Sequence, residues 1–222
     1  MMSSSHKKVT EIAIDLTRSE ELKKHKKQII IGSYKEDFPR GKIFGFKINI
    51  SSINHFYHPE KHRATWFSTK NAKQLGLEKF NKAVILYQKG KLKKAYRKLG
   101  ASLHYVQDLA CPSHTNFTKH YLGEDDFEKG INKFLEHLDT QKIKSVRKRL
   151  EFYFEDLARE SSKFHSGKKD ITEFIRWLTK KSNPLSEEEL EEQRKVLIPL
   201  SISYTTGVLK NFIRKTQNGR IV

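Results

Sequence analysis

A chain of 222 residues is long enough to bury one large core or two smaller ones. Lysine and arginine total 44 against 26 acidic residues, and the net charge of +18 favours polyanionic partners: nucleic acid, anionic lipid or phosphorylated metabolites. The single cysteine, Cys111, excludes an intrachain disulfide, and no run approaches the length expected of a transmembrane segment. The N-terminal Met-Met-Ser-Ser-Ser-His-Lys-Lys carries no apolar core of a signal peptide, so a cytoplasmic location is expected unless a leader has been removed.

In chain order, Ser5 reads as an N-cap, with Val9, Ile12, Ala13 and Leu16 following at helical spacing and His6 in the first turn. Residues 18–27 read as a basic, solvated helix face, and Gln28 to Gly32 is a short apolar run compatible with helix or strand. Residues 33–69 read as a long irregular segment. Within it Phe44, Phe46, Ile48 and Ile50 alternate with small or polar residues, a short strand signal, and the His55-Phe-Tyr-His-Pro59 stretch argues against disorder. Ala72, Leu75, Phe80, Ala83, Val84 and Tyr87 mark a helix closed near Gly90, and the helix that follows should run antiparallel to it. Further helices are marked by Phe127, Ile131, Phe134, Leu135 and Leu138, by Ile143, Val146, Leu150, Tyr153, Phe154 and Leu157, and by Ile171, Phe174, Ile175 and Leu178. Ser186-Glu-Glu-Glu189 is a capping box that opens a last helix, within which Pro199 predicts a kink. With no repeats and no linker, residues 1–222 read as a single-domain, all-α helical bundle.

The chemistry concentrates around one helix. Leu92, Ala95, Tyr96, Leu99, Leu103, Val106 and Ala110 form an apolar stripe, while His104 and Asp108, four residues apart, share a separate face. Pro112 cannot continue the helix, so the chain bends and His114 can return toward that face. Gly100, one turn before His104, leaves room for another backbone or a ligand. A carboxylate and two imidazoles converging at a helix end suit zinc, although the bare spacing by itself favours two surface histidines and a solvated aspartate. Cys111 reads as a buried small apolar residue or a neighbour of a metal, and His25, His137 and His165 read as surface residues.

Taken together, His6, Asp37 in Gly-Ser-Tyr-Lys-Glu-Asp-Phe-Pro, His55, the run Leu-Gly-Ala-Ser-Leu-His-Tyr-Val-Gln-Asp with its Pro-Ser-His, and the acidic patch after His120 resemble the zinc-dependent phospholipase C family. Its wider superfamily includes the S1/P1 type of nuclease. The resemblance runs from His6 to about Phe212 and implies a helical bundle holding three zinc ions. It places Asp37, His55, His104 and Asp108 around the first ion, has Asp108 bridge to an ion shared with His6, and gives the remaining ion His114 with a histidine and a glutamate. For that last pair, His120 with Glu124 has the family's spacing, and Glu128 after Phe127 is the alternate. Asp37 would accept a proton from the attacking water. The family also uses the amino group and carbonyl of an N-terminal tryptophan; here only five residues precede His6, so two tight zinc ions and an incompletely liganded third are expected, with the amino group of Met1 as a substitute within reach.

The implied activity is hydrolysis of an anionic phosphodiester, phospholipid or related, by a metal-activated water, with peripheral contact to an anionic membrane surface. A nuclease acting on nucleic acid and a non-catalytic, metal-stabilised phosphate-binding protein are the two alternatives.

Overall fold

A computed structural model describes residues 1–36, 41–43, 46–48, 55–60, 70–116, 126–165 and 185–217. Among these the architecture is helical: α1 (Ser3–Thr17), α2 (Glu20–Lys24), α3 (Lys26–Lys35), α4 (Ala72–Gln88), α5 (Leu92–Asp108), α6 (Pro112–Thr115), α7 (Asp126–His137), α8 (Leu150–Ser162) and α9 (Glu187–Gln217). The sheet among the described residues is an antiparallel pair of three-residue strands, β1 (Gly41–Ile43) and β2 (Phe46–Ile48), in the register Gly41 to Ile48. It falls where the alternation of Phe46 and Ile48 signalled a strand, inside the segment expected to be irregular. That segment starts later than expected, because α3 runs through Gln28–Gly32 and on to Lys35.

Helix α5 is the centre of the bundle, packing along its length against α4 and α3 and touching α9, α1 and α8. Its contact with α3 has no room for side chains at the crossing. A Cβ on Gly100 would lie 2.0 Å from the Ile29 carbonyl oxygen, one on Gly32 would lie 2.1 Å from that of Arg97, and both would approach the facing glycine's Cα at 2.9 Å. The predicted close approach at Gly100 is thus to another backbone. Below the crossing, Phe212 of α9 meets Phe80, Tyr87 and Tyr96 edge-on at centroid separations of 5.6–6.1 Å, and burying a ring of this size is worth about 1.5–3 kcal/mol. The two tyrosine hydroxyls donate to Glu21, which ties α2 to α4 and α5.

Helix ends follow their local chemistry. Asn71 and Gln74 form a reciprocal capping box at the start of α4, and Ser186 and Glu189 form the expected one before α9. Helix α9 continues through Pro199 as one element. By length and composition it could cross a membrane, contrary to the reading that no run approaches that length. Yet 72% of its most apolar window is buried in the bundle, as befits a core helix, and Arg194 within it is buried, bonded to the carbonyls of Asp126 and Phe127 at the start of α7.

Three local expectations are corrected. Helix α1 begins at Ser3 with Met2 as N-cap, not at Ser5, because the Met2 carbonyl already accepts from His6 N–H. Helix α8 begins only at Leu150. The carbonyls of Lys144, Val146 and Lys148 accept from Ser203, Tyr153 and Asn211, tertiary bonds that compete with an i to i+4 ladder through this stretch. His25 is half-buried and stacks on Tyr96 at 4.1 Å, whereas His137 and His165 are exposed or nearly so, as expected. The helix expected around Ile171–Leu178 lies outside the described residues.

Candidate metal centre

The last two turns of α5 carry His104, Gln107 and Asp108. The chain then bends through two successive three-residue steps: Asp108 C=O accepts from Cys111 N–H, and Cys111 C=O accepts from His114 N–H, each at 2.9 Å. Pro112 at the first position of α6 has no N–H to strand there. Tyr57 N–H donates to the His114 carbonyl at 3.1 Å, which docks the His55–Glu60 segment against α6 and brings His55 alongside. From α1, His6 comes to the same point, 4.2 Å from the His104 ring.

Asp108 is the hub. Its Oδ2 lies 3.0 Å from His104 Nε2 and 2.8 Å from His55 Nδ1; its Oδ1 lies 3.2 Å from His6 Nε2 and 2.9 Å from the α-amino nitrogen of Met1. The same amino group reaches Glu128 of α7 at 2.8 Å, and Glu128 in turn faces His114 Nε2 at 3.4 Å. His6, His104 and Asp108 are wholly buried, while His114 and Glu128 are 7% and 8% exposed, so the cluster is least sealed on its α6–α7 side. Burial alone would raise the Asp108 carboxyl, but the facing imidazoles and amino group outweigh it and hold the carboxyl well below the usual carboxylate range. Glu128 is likewise pushed up by burial and brought well below that range by the Met1 amino group and His114.

Partners behind the rings fix which nitrogen faces the hub. His104 Nδ1 lies 2.8 Å from the Ser33 carbonyl, which can only accept, so Nδ1 carries a hydrogen and Nε2 is the nitrogen turned to Asp108. His6 Nδ1 lies 2.6 Å from Gln107 Oε1, and the Gln107 amide is oriented by its Nε2–H donating to Thr10. His6 Nε2 therefore faces the other oxygen of the same carboxylate. Both oxygens of Asp108 are thus faced by ring nitrogens whose far sides are held in place, an arrangement suited to a cation. Nitrogen and carboxylate donors are what zinc takes. The separations of 2.8–3.2 Å around Asp108 are close to the edge of about 3.3 Å that two bonds of about 2.0 Å subtend at a tetrahedral angle. Three overlapping groups have donor atoms within 4.8 Å of one another: His6, His104 and Asp108; His55, Asp108 and His114; and Cys111, His114 and Glu128.

The structure thus brings together His6, His55, His104, Asp108, His114 and the alternate Glu128. Asp37, His120 and Glu124 lie outside the described residues. The sequence reading missed Gln107, Thr10 and the Ser33 carbonyl. Gln107 carried a signal: it is a polar residue one turn from His104, on the helix face that meets α1.

A family model described as zinc dependent phospholipase C matches residues 5–191. A phospholipase C of Listeria monocytogenes is 35% identical over 96 residues, covering 43% of this chain and 32% of that protein; one of Bacillus cereus is 29% identical over 123 residues, covering 52% and 43%. The matched stretches span less than half the length of these curated relatives. Among solved structures, the alpha-toxin of Clostridium perfringens, from an avian strain, superimposes with a TM-score of 0.67 at 15% identity, over 98% of this chain and 65% of the toxin. The alpha toxin of Clostridium absonum gives 0.69 at 16% identity, over 96% and 65%. At these identities the superpositions establish a shared helical fold.

Proposed function

The chain belongs to the zinc-dependent phospholipase C family, and from that premise we propose that it is a zinc-dependent phosphodiester hydrolase of phospholipase C type, acting on phospholipid or a closely related phosphodiester. The observation that carries the reading is the convergence of His6, His55 and His104 on the two oxygens of one buried carboxylate, Asp108, with the His6 and His104 rings held from behind by Gln107 and the Ser33 carbonyl. His55, His104 and Asp108 would hold one ion together with Asp37, His114 and Glu128 a second, and His6, Asp108 and the Met1 amino nitrogen a third. Zinc bound there would polarise a phosphoryl oxygen and lower the pKa of a coordinated water.

The protein's own part is orientation. Ser33 C=O and Gln107 hold the His104 and His6 rings by their far nitrogens, and Asp108 would be shared between the ions. Asp37 is assigned as proton acceptor on the family resemblance. The +18 charge favours approach to an anionic lipid surface. The third ion is expected to be held most weakly, because the Met1 amino group must give up its proton, and its pairing with Asp108 and Glu128, before it can ligate.

The test is metal analysis of the purified protein beside hydrolysis of phospholipid vesicles, single-stranded DNA and a chromogenic phosphodiester, each with chelator and with zinc restored. Zinc-dependent headgroup release from the vesicles is expected. Zinc-dependent cleavage of DNA in preference to lipid would move the assignment to a nuclease, and bound zinc with no hydrolysis of any of the three would leave a metal-stabilised binding protein. Zinc titrated into metal-free protein should show two tight equivalents and one weaker.

A further inference from the structure

Cys111 is fully buried at the bend between α5 and α6, yet its neighbours there are not those of an inert core thiol. Its sulfur lies within 4.8 Å of donor atoms of both His114 and Glu128. The placement follows from the backbone. Asp108 C=O accepts from Cys111 N–H and Cys111 C=O accepts from His114 N–H, so Asp-x-x-Cys-x-x-His is a run of two successive three-residue turns that returns its three donor residues to one side. Glu128 arrives across this side from α7 and faces His114 at 3.4 Å. A carboxylate, an imidazole and a thiol, all nearly or wholly buried, form the donor set of a zinc site, with the thiolate the strongest zinc donor of the three. The edges of such a site are about 3.3–3.8 Å, so with all three atoms within 4.8 Å of one another a contraction of at most about 1–1.5 Å closes it.

We propose that Cys111 is a direct metal ligand, completing with His114 and Glu128 a sulfur–nitrogen–oxygen site for one zinc ion. The proposal rests on the zinc-dependent reading above and deepens it. On binding, the thiol gives up its proton to solvent and the thiolate sulfur donates to the metal, with no change of oxidation state. A thiolate here donates more charge than a second imidazole would, so this ion is the tightest held and the weaker Lewis acid. That leaves polarisation of the phosphoryl group chiefly to the ions around Asp108.

Because Cys111 is the only cysteine, a spectroscopic readout is unambiguous. Metal-free full-length protein is titrated with cobalt(II), in place of zinc, and followed by absorption. Visible d–d bands report binding at any of the sites, whereas a near-ultraviolet thiolate-to-cobalt charge-transfer band reports sulfur ligation alone. The expected result is d–d bands, with the charge-transfer band saturating at one equivalent, before the others fill, and collapsing when zinc is added. Cys111→Ser should keep d–d bands and lose the charge-transfer band. Bands in the visible without charge transfer in the unmodified protein overturn the cysteine ligand and leave the zinc reading standing; no cobalt binding at all overturns both. Should Cys111→Ser fail to fold, cadmium loading of the unmodified protein decides the same question: thiolate-to-cadmium absorption supports the cysteine ligand, and its absence overturns it.

Discussion

Gly100→Ala puts one methyl group where α3 and α5 touch, and the structure specifies what it must displace. The new Cβ would stand 2.0 Å from the Ile29 carbonyl oxygen, roughly 1.4 Å short of ordinary contact, and the obstacle is backbone that cannot rotate away. Alanine gains about 1 kcal/mol over glycine in a helix interior, whereas forcing a packed contact apart costs about 1–3 kcal/mol, so the variant should be net destabilised by up to about 2 kcal/mol. The metal centre should suffer separately. Ser33 sits one residue past Gly32 on α3 and receives the His104 Nδ1–H at 2.8 Å; a shift of about 1.4 Å would stretch that bond beyond useful range. Losing a partner that orients a histidine ligand typically weakens metal binding about 10–100-fold. Urea denaturation of the metal-free variant measures the first effect and chelator competition for zinc the second. A Gly100→Ala protein as stable as the parent, with unchanged zinc affinity, would refute the argument that this crossing positions His104.

Chelating the metal should lower the melting temperature of the parent protein, since a ligand at about 100 times its Kd adds about 2.7 kcal/mol to the native state, and His104→Ala should abolish most of that chelator-sensitive shift; equal melting temperatures with and without chelator would count against a buried metal. Gln107→Leu removes the acceptor for His6 Nδ1–H and should weaken the least tightly held metal equivalent about 10–100-fold while sparing the tight ones, as read by zinc titration. In metal-free protein, Asp108 and Glu128 have native pKa values below their unfolded ones. Their stabilisation is therefore complete above the ordinary carboxylate range, near pH 4, and is lost as pH falls through the depressed native values. Chemical denaturation from neutral pH downward should show stability falling below about pH 4, less steeply in Asp108→Asn, and a flat profile would contradict the sign.

The helical class and the central face were legible because they rest on period. The stripe from Leu92 to Ala110 and the four-residue step from His104 to Asp108 are local properties of one helix, and α5 realises both. Period also misled. Ile143, Val146 and Leu150 recur at helical intervals, yet residues 143–149 lie outside α8, where side chains of α8 and α9 take the carbonyls of Lys144, Val146 and Lys148, a tertiary competition that no local pattern records. The run Gln28 to Gly32 was ambiguous for the opposite reason: so short a stretch fits either element, and what commits it to α3 is the glycine crossing with α5.

At the metal centre, side chains with distinctive chemistry were legible and the atoms that orient them were not. Histidines and aspartates announce themselves in a sequence, whereas the Ser33 carbonyl is a backbone atom that every residue possesses, and a lone glutamine such as Gln107 has no special spacing. The choice between Glu124 and Glu128 shows where spacing stops deciding. Counted from His120 or from Phe127, either fits; the packing of α7 brings Glu128 to His114 and the Met1 amino group, while Glu124 lies outside the described residues. The same packing gives Cys111 its neighbours. In sequence it is one small buried residue before a proline, but the two turns that carry the chain from Asp108 to His114 leave its sulfur beside an imidazole and a carboxylate.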